Sequence, residues 1–218
     1  MPTAATSISW LGALGWLTAI SAAGFLVAWV LTSRLGVRRT PYIAALALLT
    51  GGLTVGYLTW SDTSLTGFAT NRWGWGLAGA AVAGALLARL SRHQPRGPRP
   101  RGRRLTATLA WEGVVYGITE GLLLSVLPVL VTWQAFAAHG WTSGTGKPLV
   151  AGTAAMGASL AVIVLHHLGY RGFHSRAALV PVMVGCGLLS LAYLLTASPL
   201  AAVGGHILLH TALTLRGT

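Results

Sequence analysis

Glu112 and Glu120 are two of only three carboxylate residues in the 218-residue chain, Asp62 being the third, and both stand in a strongly apolar stretch. His166, His167, His206 and His210 also fall in or beside long hydrophobic segments. An ionisable group in hydrocarbon is costly unless it is paired, metal-bound or turned to an internal cavity, so these residues mark a candidate site. Imidazole and carboxylate together form a donor set for zinc, iron or manganese. Without a metal, a glutamate in apolar surroundings holds its proton more tightly and can exchange it with water near neutral pH. Histidine beside it orients the water or stabilises an oxyanion.

The elements that must position these residues are membrane helices. The chain is 54% hydrophobic and only 8% charged, against about a quarter charged for soluble domains. Apolar runs recur at a length that crosses a bilayer core. They predict an all-α polytopic integral membrane bundle of about seven transmembrane helices: Trp10–Leu31, Pro41–Trp60, Trp73–Leu90, Leu105 to about Ala137, Leu149–Leu168, Ala177–Thr196 and a short Leu200–Leu213. Pro128 predicts a kink in the long fourth helix, because it removes an internal hydrogen bond. The segment Arg92–Arg104, rich in Arg, Pro and Gly, reads as a flexible, exposed connector. It divides a three-helix unit (1–91) from a four-helix unit (105–218) that carries the Glu/His residues.

The formal charge of +12 does not point to nucleic acid, because the arginines sit in short gaps between apolar runs. There they face lipid headgroups and set topology. Arg34, Arg38, Arg39, Arg89, the connector, Arg171, Arg176 and Arg216 fall on one side, with only Arg72 and Lys147 on the other. That bias places the N-terminus outside and the C-terminus in the cytoplasm, in a multi-pass protein of the cell membrane. The first apolar run has no basic residues before it and continues into further spans, so a cleaved signal peptide is not expected. Cys186, the single cysteine, reads as a small buried hydrophobe. Gly113, Gly117 and Gly121 recur every four residues and predict a smooth face for close helix approach.

Within this topology Glu112 lies about 10 Å into its helix from the cytoplasmic side, and Glu120 about 12 Å deeper. The fifth helix ends inward at His166 and His167, and the seventh carries His206 and His210 four apart on one face. Glu112, His166, His206 and His210 then converge in the cytoplasmic half. Only one of the adjacent pair His166 and His167 joins them, because neighbours diverge by about 100° around a helix. The catalytic candidates are Glu112, Glu120, His166 and His206; the metal-ligand candidates are His166, His206, His210 and Glu112. The same residues also have quieter roles open to them. Glu112 suits an interfacial hydrogen bonder beside Trp111, Glu120 a partner of Tyr116 or Thr119, and the histidines core or headgroup-level groups.

Three successive helices bearing Glu, then His, then His with a polar residue four later resemble the CPBP family, which includes the CAAX prenyl endopeptidases, intramembrane glutamate proteases. The matching segments are Trp111-Glu112-Gly113-Val114-Val115-Tyr116, Val162-Ile163-Val164-Leu165-His166-His167 and His206-Ile207-Leu208-Leu209-His210. The resemblance implies a cytoplasm-facing membrane cavity, with Glu112 at the family's second glutamate and His206 at its last histidine. Trp111 and Tyr116 stand where the family has its first glutamate and its arginine. The resemblance therefore implies either that Glu120, about two turns away, supplies the missing carboxylate or that peptidase activity is lost.

Three functions remain open from the residues. One is a hydrolase-like protein acting on an apolar or lipidated substrate. Another is a protein binding zinc, another divalent metal or non-covalent haem. The last is a proton- or ion-conducting or structural subunit with a membrane-protein partner.

Overall fold

Local chemistry sets most helix ends in the computed structural model, which describes residues 1, 8–93 and 97–217. Ser9 and Ser175 each accept a backbone N–H from three residues on, capping the first helix and the helix that begins at Arg176. Prolines stand in the first turn at Pro148 and Pro199, where a missing N–H costs nothing. Ala197 and Gly217 take left-handed φ values of 57° and 76° and stop the last two helices.

The helices are α1 (Trp10–Arg34), α2 (Arg39–Trp60), α3 (Leu65–Thr70), α4 (Trp73–Leu90), α5 (Gly102–Ala138), α6 (Lys147–Leu168), α7 (Arg176–Thr196) and α8 (Pro199–Arg216). Among the described residues there are no strands, and six of these helices are long and apolar enough to cross a membrane. The expected seventh span, α8, is a regular 18-residue helix but is not one of the six. His206, His210 and Arg216 lower its mean hydropathy. The polar loop expected over residues 61–72 contains α3, whose first turn is capped by Ser64. Of the basic connector, Gln94, Pro95 and Arg96 lie outside the described residues. Its last residues, Gly102 to Arg104, are already helical. Gly97 N–H donates to Arg216 O at 3.2 Å and Arg216 donates to Arg92 O at 2.8 Å, which ties the connector to the end of α8.

Helix α5 is the axis of the bundle: over its 37 residues, most of its apolar core is covered by other helices. Helix α8 lies against it, with α4 and α7 on its other sides. The glycine face of α5 makes this approach possible. A Cβ at Gly117 would come 2.7 Å from Ile207 Cα, and one at Gly121 would come 2.8 Å from Val203 Cα. In lipid such backbone proximity, rather than hydrophobic expulsion from water, drives helices together.

Helix α5 is not uniformly wound. Two π-helical stretches, Leu109–Val115 and Gly121–Val126, interrupt it. Pro128 follows the second and cannot bond to the carbonyl of Leu124 one turn earlier. Ser159 of α6 donates to that carbonyl at 2.7 Å and also lies 2.7 Å from Ser190 of α7. A neighbouring helix thus satisfies the group the proline orphans, as hydrocarbon surroundings require.

Candidate functional site

Glu120 ends the short α-helical run between the two π stretches of α5. Such widened turns recur at functional sites because they shift the phase of the following side chains. Its side chain is 6% exposed. Oε2 accepts a hydrogen bond from His210 Nε2 at 2.8 Å, and Oε1 lies 3.9 Å from His166 Nε2. His206 stands one turn before His210 on α8, with the two rings near parallel and 6.1 Å apart. One ligand atom from each of Glu120, His206 and His210 lies within 4.8 Å of the others. Two helices therefore supply a buried group able to hold a metal ion, and α6 adds His166 beside it.

The tautomers of His166 and His167 follow from their partners, because a carbonyl can only accept. His166 Nδ1 donates to Gly24 O at 3.1 Å. Its Nε2 then presents a lone pair, and Tyr170 Oη lies 3.1 Å away as donor. This is the arrangement that fixes the orientation of metal-binding histidines elsewhere. His167 Nδ1 donates to Ile163 O at 2.8 Å, and its ring stands at 85° to that of His166. One of the adjacent pair faces Glu120, and the other lines the space beside it. His206 Nε2 is 3.4 Å from Ser125 Oγ, and its Nδ1 is buried without a hydrogen-bond partner.

Three tyrosines extend the cluster, of which the sequence marks only Tyr116, as a partner of Glu120. Tyr170 Oη forms a short hydrogen bond with Tyr42 Oη and lies 3.4 Å from Tyr116 Oη. Tyr116 packs its ring 4.7 Å from that of His210. Spacing carries a signal for Tyr170 as well, since it follows His166 by one helical turn, just as Tyr116 precedes Glu120 by one. Tyr42 is joined to them only by tertiary packing. Beyond the end of α6, burial and then the Glu120 charge hold the Tyr170 phenol above the ordinary tyrosine value. It therefore remains a neutral donor.

Glu112 has a different partner. Its Oε2 pairs with Arg39 Nε at 3.0 Å, and the Arg39 guanidinium lies over the Tyr116 ring at 5.5 Å. The side chain is a quarter exposed, and Glu112 is outside the metal-competent group. Asp62 lies in the turn after α2. His139 and His174 bond locally to Ala135 O and Leu168 O.

Above Glu120, His206 and His210 opens a cavity of about 970 Å3. Its polar end holds those three with His167, Tyr42, Tyr116, Tyr170 and Arg39. Leu87 and Leu90 of α4, Val180 and Val184 of α7, and Leu209 and Leu213 of α8 form an apolar wall. Leu90, Val180 and Val184 are more than half exposed, so this wall reaches the outer surface of the bundle. Cys186, buried as expected, is part of the lining. Volume and lining match ligand sites in general: mostly apolar, with a few convergent polar groups.

Comparison with protein families, curated proteins and solved structures finds no match.

Proposed function

We propose that this chain is a membrane-embedded hydrolase-like protein that cleaves an apolar or lipidated substrate at the Glu120 centre. One observation carries the reading: Glu120, bonded to His210 and faced by His166 and His206, sits at the floor of a large apolar-walled cavity. Glu120 takes a proton from water as the water oxygen attacks an acyl carbonyl, and later returns that proton to the leaving group. His166 Nε2 accepts from Tyr170 Oη in the resting site, and the attacking water takes over that hydrogen bond when it enters beside Glu120. His206, with Nδ1 unsatisfied, polarises the carbonyl oxygen. The apolar chain of the substrate enters between α4 and α7 and lies along the wall.

In this reading α8 is the seventh span, the N-terminus is outside and the C-terminus cytoplasmic, in the cell membrane. The cavity lining supports that placement. Thr32, Arg39, Ser91, Tyr170 and Leu213 all belong to helix ends on the side with most arginines. The resemblance to the CPBP family fits the order Glu, His, His along the chain, with Glu120 in the role its motif leaves vacant at Trp111.

Turnover of acyl esters, acyl amides and prenylated peptides in proteoliposomes tests the proposal. Glu120→Gln is expected to lose at least about 100-fold, the low end for a general base. Unchanged turnover would remove Glu120 from the chemistry.

A second reading has its own support in the mutual distances of Glu120, His206 and His210. Three protein ligands with an open position toward a cavity are the pattern of catalytic zinc. Glu120, His206 and His210 would hold a divalent ion, with loss of the proton that His210 Nε2 shares with Glu120. Such an ion polarises a carbonyl and makes bound water acidic. Elemental analysis of protein purified without chelator separates the readings: about one zinc-type ion per chain, lost in His206→Ala/His210→Ala, supports the metal.

A further inference from the structure

A second, smaller cleft lies where the end of α1 meets the turn after α6. It encloses about 250 Å3 and is walled by Trp29, Ser33, Arg34, Arg171 and His174. Two of these residues are committed to the walls. Ser33 Oγ donates to Gly169 O at 2.7 Å, and His174 Nε2 donates to Leu168 O at 3.0 Å. Arg34 lies over the Trp29 ring at 4.6 Å. Stacking of this kind holds the guanidinium plane and leaves its edge N–H groups free to donate. Arg171 opens the single 3₁₀ turn Arg171–Phe173 and is exposed.

No carboxylate side chain among the described residues neutralises this pair of guanidinium groups. Glu112 is paired with Arg39, Glu120 with His210, and Asp62 follows the opposite end of α2. The cleft is therefore lined by guanidinium groups from two segments, the donor type suited to bidentate phosphate binding. It also borders lipid-facing surface: Leu26 and Leu35 of the same stretch are 49% and 66% exposed. An acyl chain can lie along α1 while its phosphate occupies the cleft.

We infer that Arg34 and Arg171 form a phosphate site across the α1–α6 seam, filled by the headgroup of an anionic phospholipid or by free phosphate. The site is separate from the Glu120 centre and stands whether or not that centre hydrolyses anything.

Native mass spectrometry and thermal unfolding of the intact protein in neutral detergent test it, with phosphatidylglycerol in one arm and inorganic phosphate in the other. Arg34→Gln/Arg171→Gln is compared with Arg38→Gln/Arg104→Gln, which removes the same charge elsewhere on the basic side. Phosphatidylglycerol is expected to stay bound to the wild type and to stabilise it. The first pair weakens binding at least about tenfold and the second leaves it unchanged. Stabilisation by inorganic phosphate alone, abolished by the first pair, assigns the site to the free ion. Equal loss in both pairs, or none in either, overturns the inference. Should the first double variant not be recovered folded, Arg171→Gln on its exposed turn carries the same comparison, with a several-fold loss expected.

Discussion

Glu120 and His210 stand 90 positions apart in the chain and 2.8 Å apart in the fold, joined by a hydrogen bond buried between α5 and α8. The glycines of α5 make the contact possible, because Gly117 and Gly121 bring the α8 backbone within reach of the face that carries Glu120. Packing and chemistry here depend on the same close approach.

Replacing His210 with Leu leaves the buried carboxylate without its donor. Leaving a buried acceptor without its donor costs about 1–3 kcal/mol, and more when the acceptor is charged. We expect a clear drop in the unfolding midpoint in detergent, and a smaller one when Glu120→Gln is added, because an unpartnered neutral amide costs less to bury than an unpartnered carboxylate. Equal midpoints for the single and double variants would show that the pair is not coupled.

Gly117→Val places a side chain against the Ile207 backbone and should destabilise the bundle by about 1–3 kcal/mol. Gly152, on α6, has open space where a Cβ would stand, with nothing within 4 Å, so Gly152→Ala should be neutral or stabilise by up to about 1 kcal/mol. Thermal unfolding of the two variants side by side checks the contrast.

Ser159→Ala removes the donor that satisfies Leu124 O beside Pro128. Interhelical hydrogen bonds in membrane proteins are worth about 0.6 kcal/mol on average and up to about 1.7. A loss in that range is expected, read by the same unfolding measurement. Ser159→Thr, which keeps the hydroxyl, should recover part of it.

Tyr170 has a folded-state pKa raised by burial and then by the Glu120 charge. The folded chain keeps a proton that the unfolded chain releases above about pH 10. Its contribution to stability is therefore complete below that pH and declines as pH rises toward the folded value. Phenolate absorbance of the wild type and Tyr170→Phe should coincide until unfolding and separate only afterwards. Separation while the protein is folded would place Tyr170 in contact with water.

Apolar stretches made legible six helices long and apolar enough to cross a membrane, with ends within a few residues, because hydrophobic run length and first-turn prolines both act locally. That His166, His206 and His210 meet a buried carboxylate was legible from helical spacing. Depth along the helix pointed to Glu112 and set Glu120 further in, whereas Glu120 is the one the fold brings to them. Glu112 was expected with them, but the Arg39 partner that draws it aside comes from another helix. Tyr42 and the Gly24 carbonyl were hidden for the same reason. The π stretches of α5 change which residues share a face, and neither composition nor a 3.6-residue period reveals them. Helix α3 was concealed by its six residues, too few to show a pattern.

The most direct test compares Glu120→Gln with Glu112→Gln in proteoliposomes bearing acyl and prenyl substrates, with folding checked for both. A loss of at least about 100-fold is expected for Glu120→Gln, and near wild-type turnover for Glu112→Gln. Undiminished turnover in Glu120→Gln, or the larger loss in Glu112→Gln, would contradict the role given to Glu120.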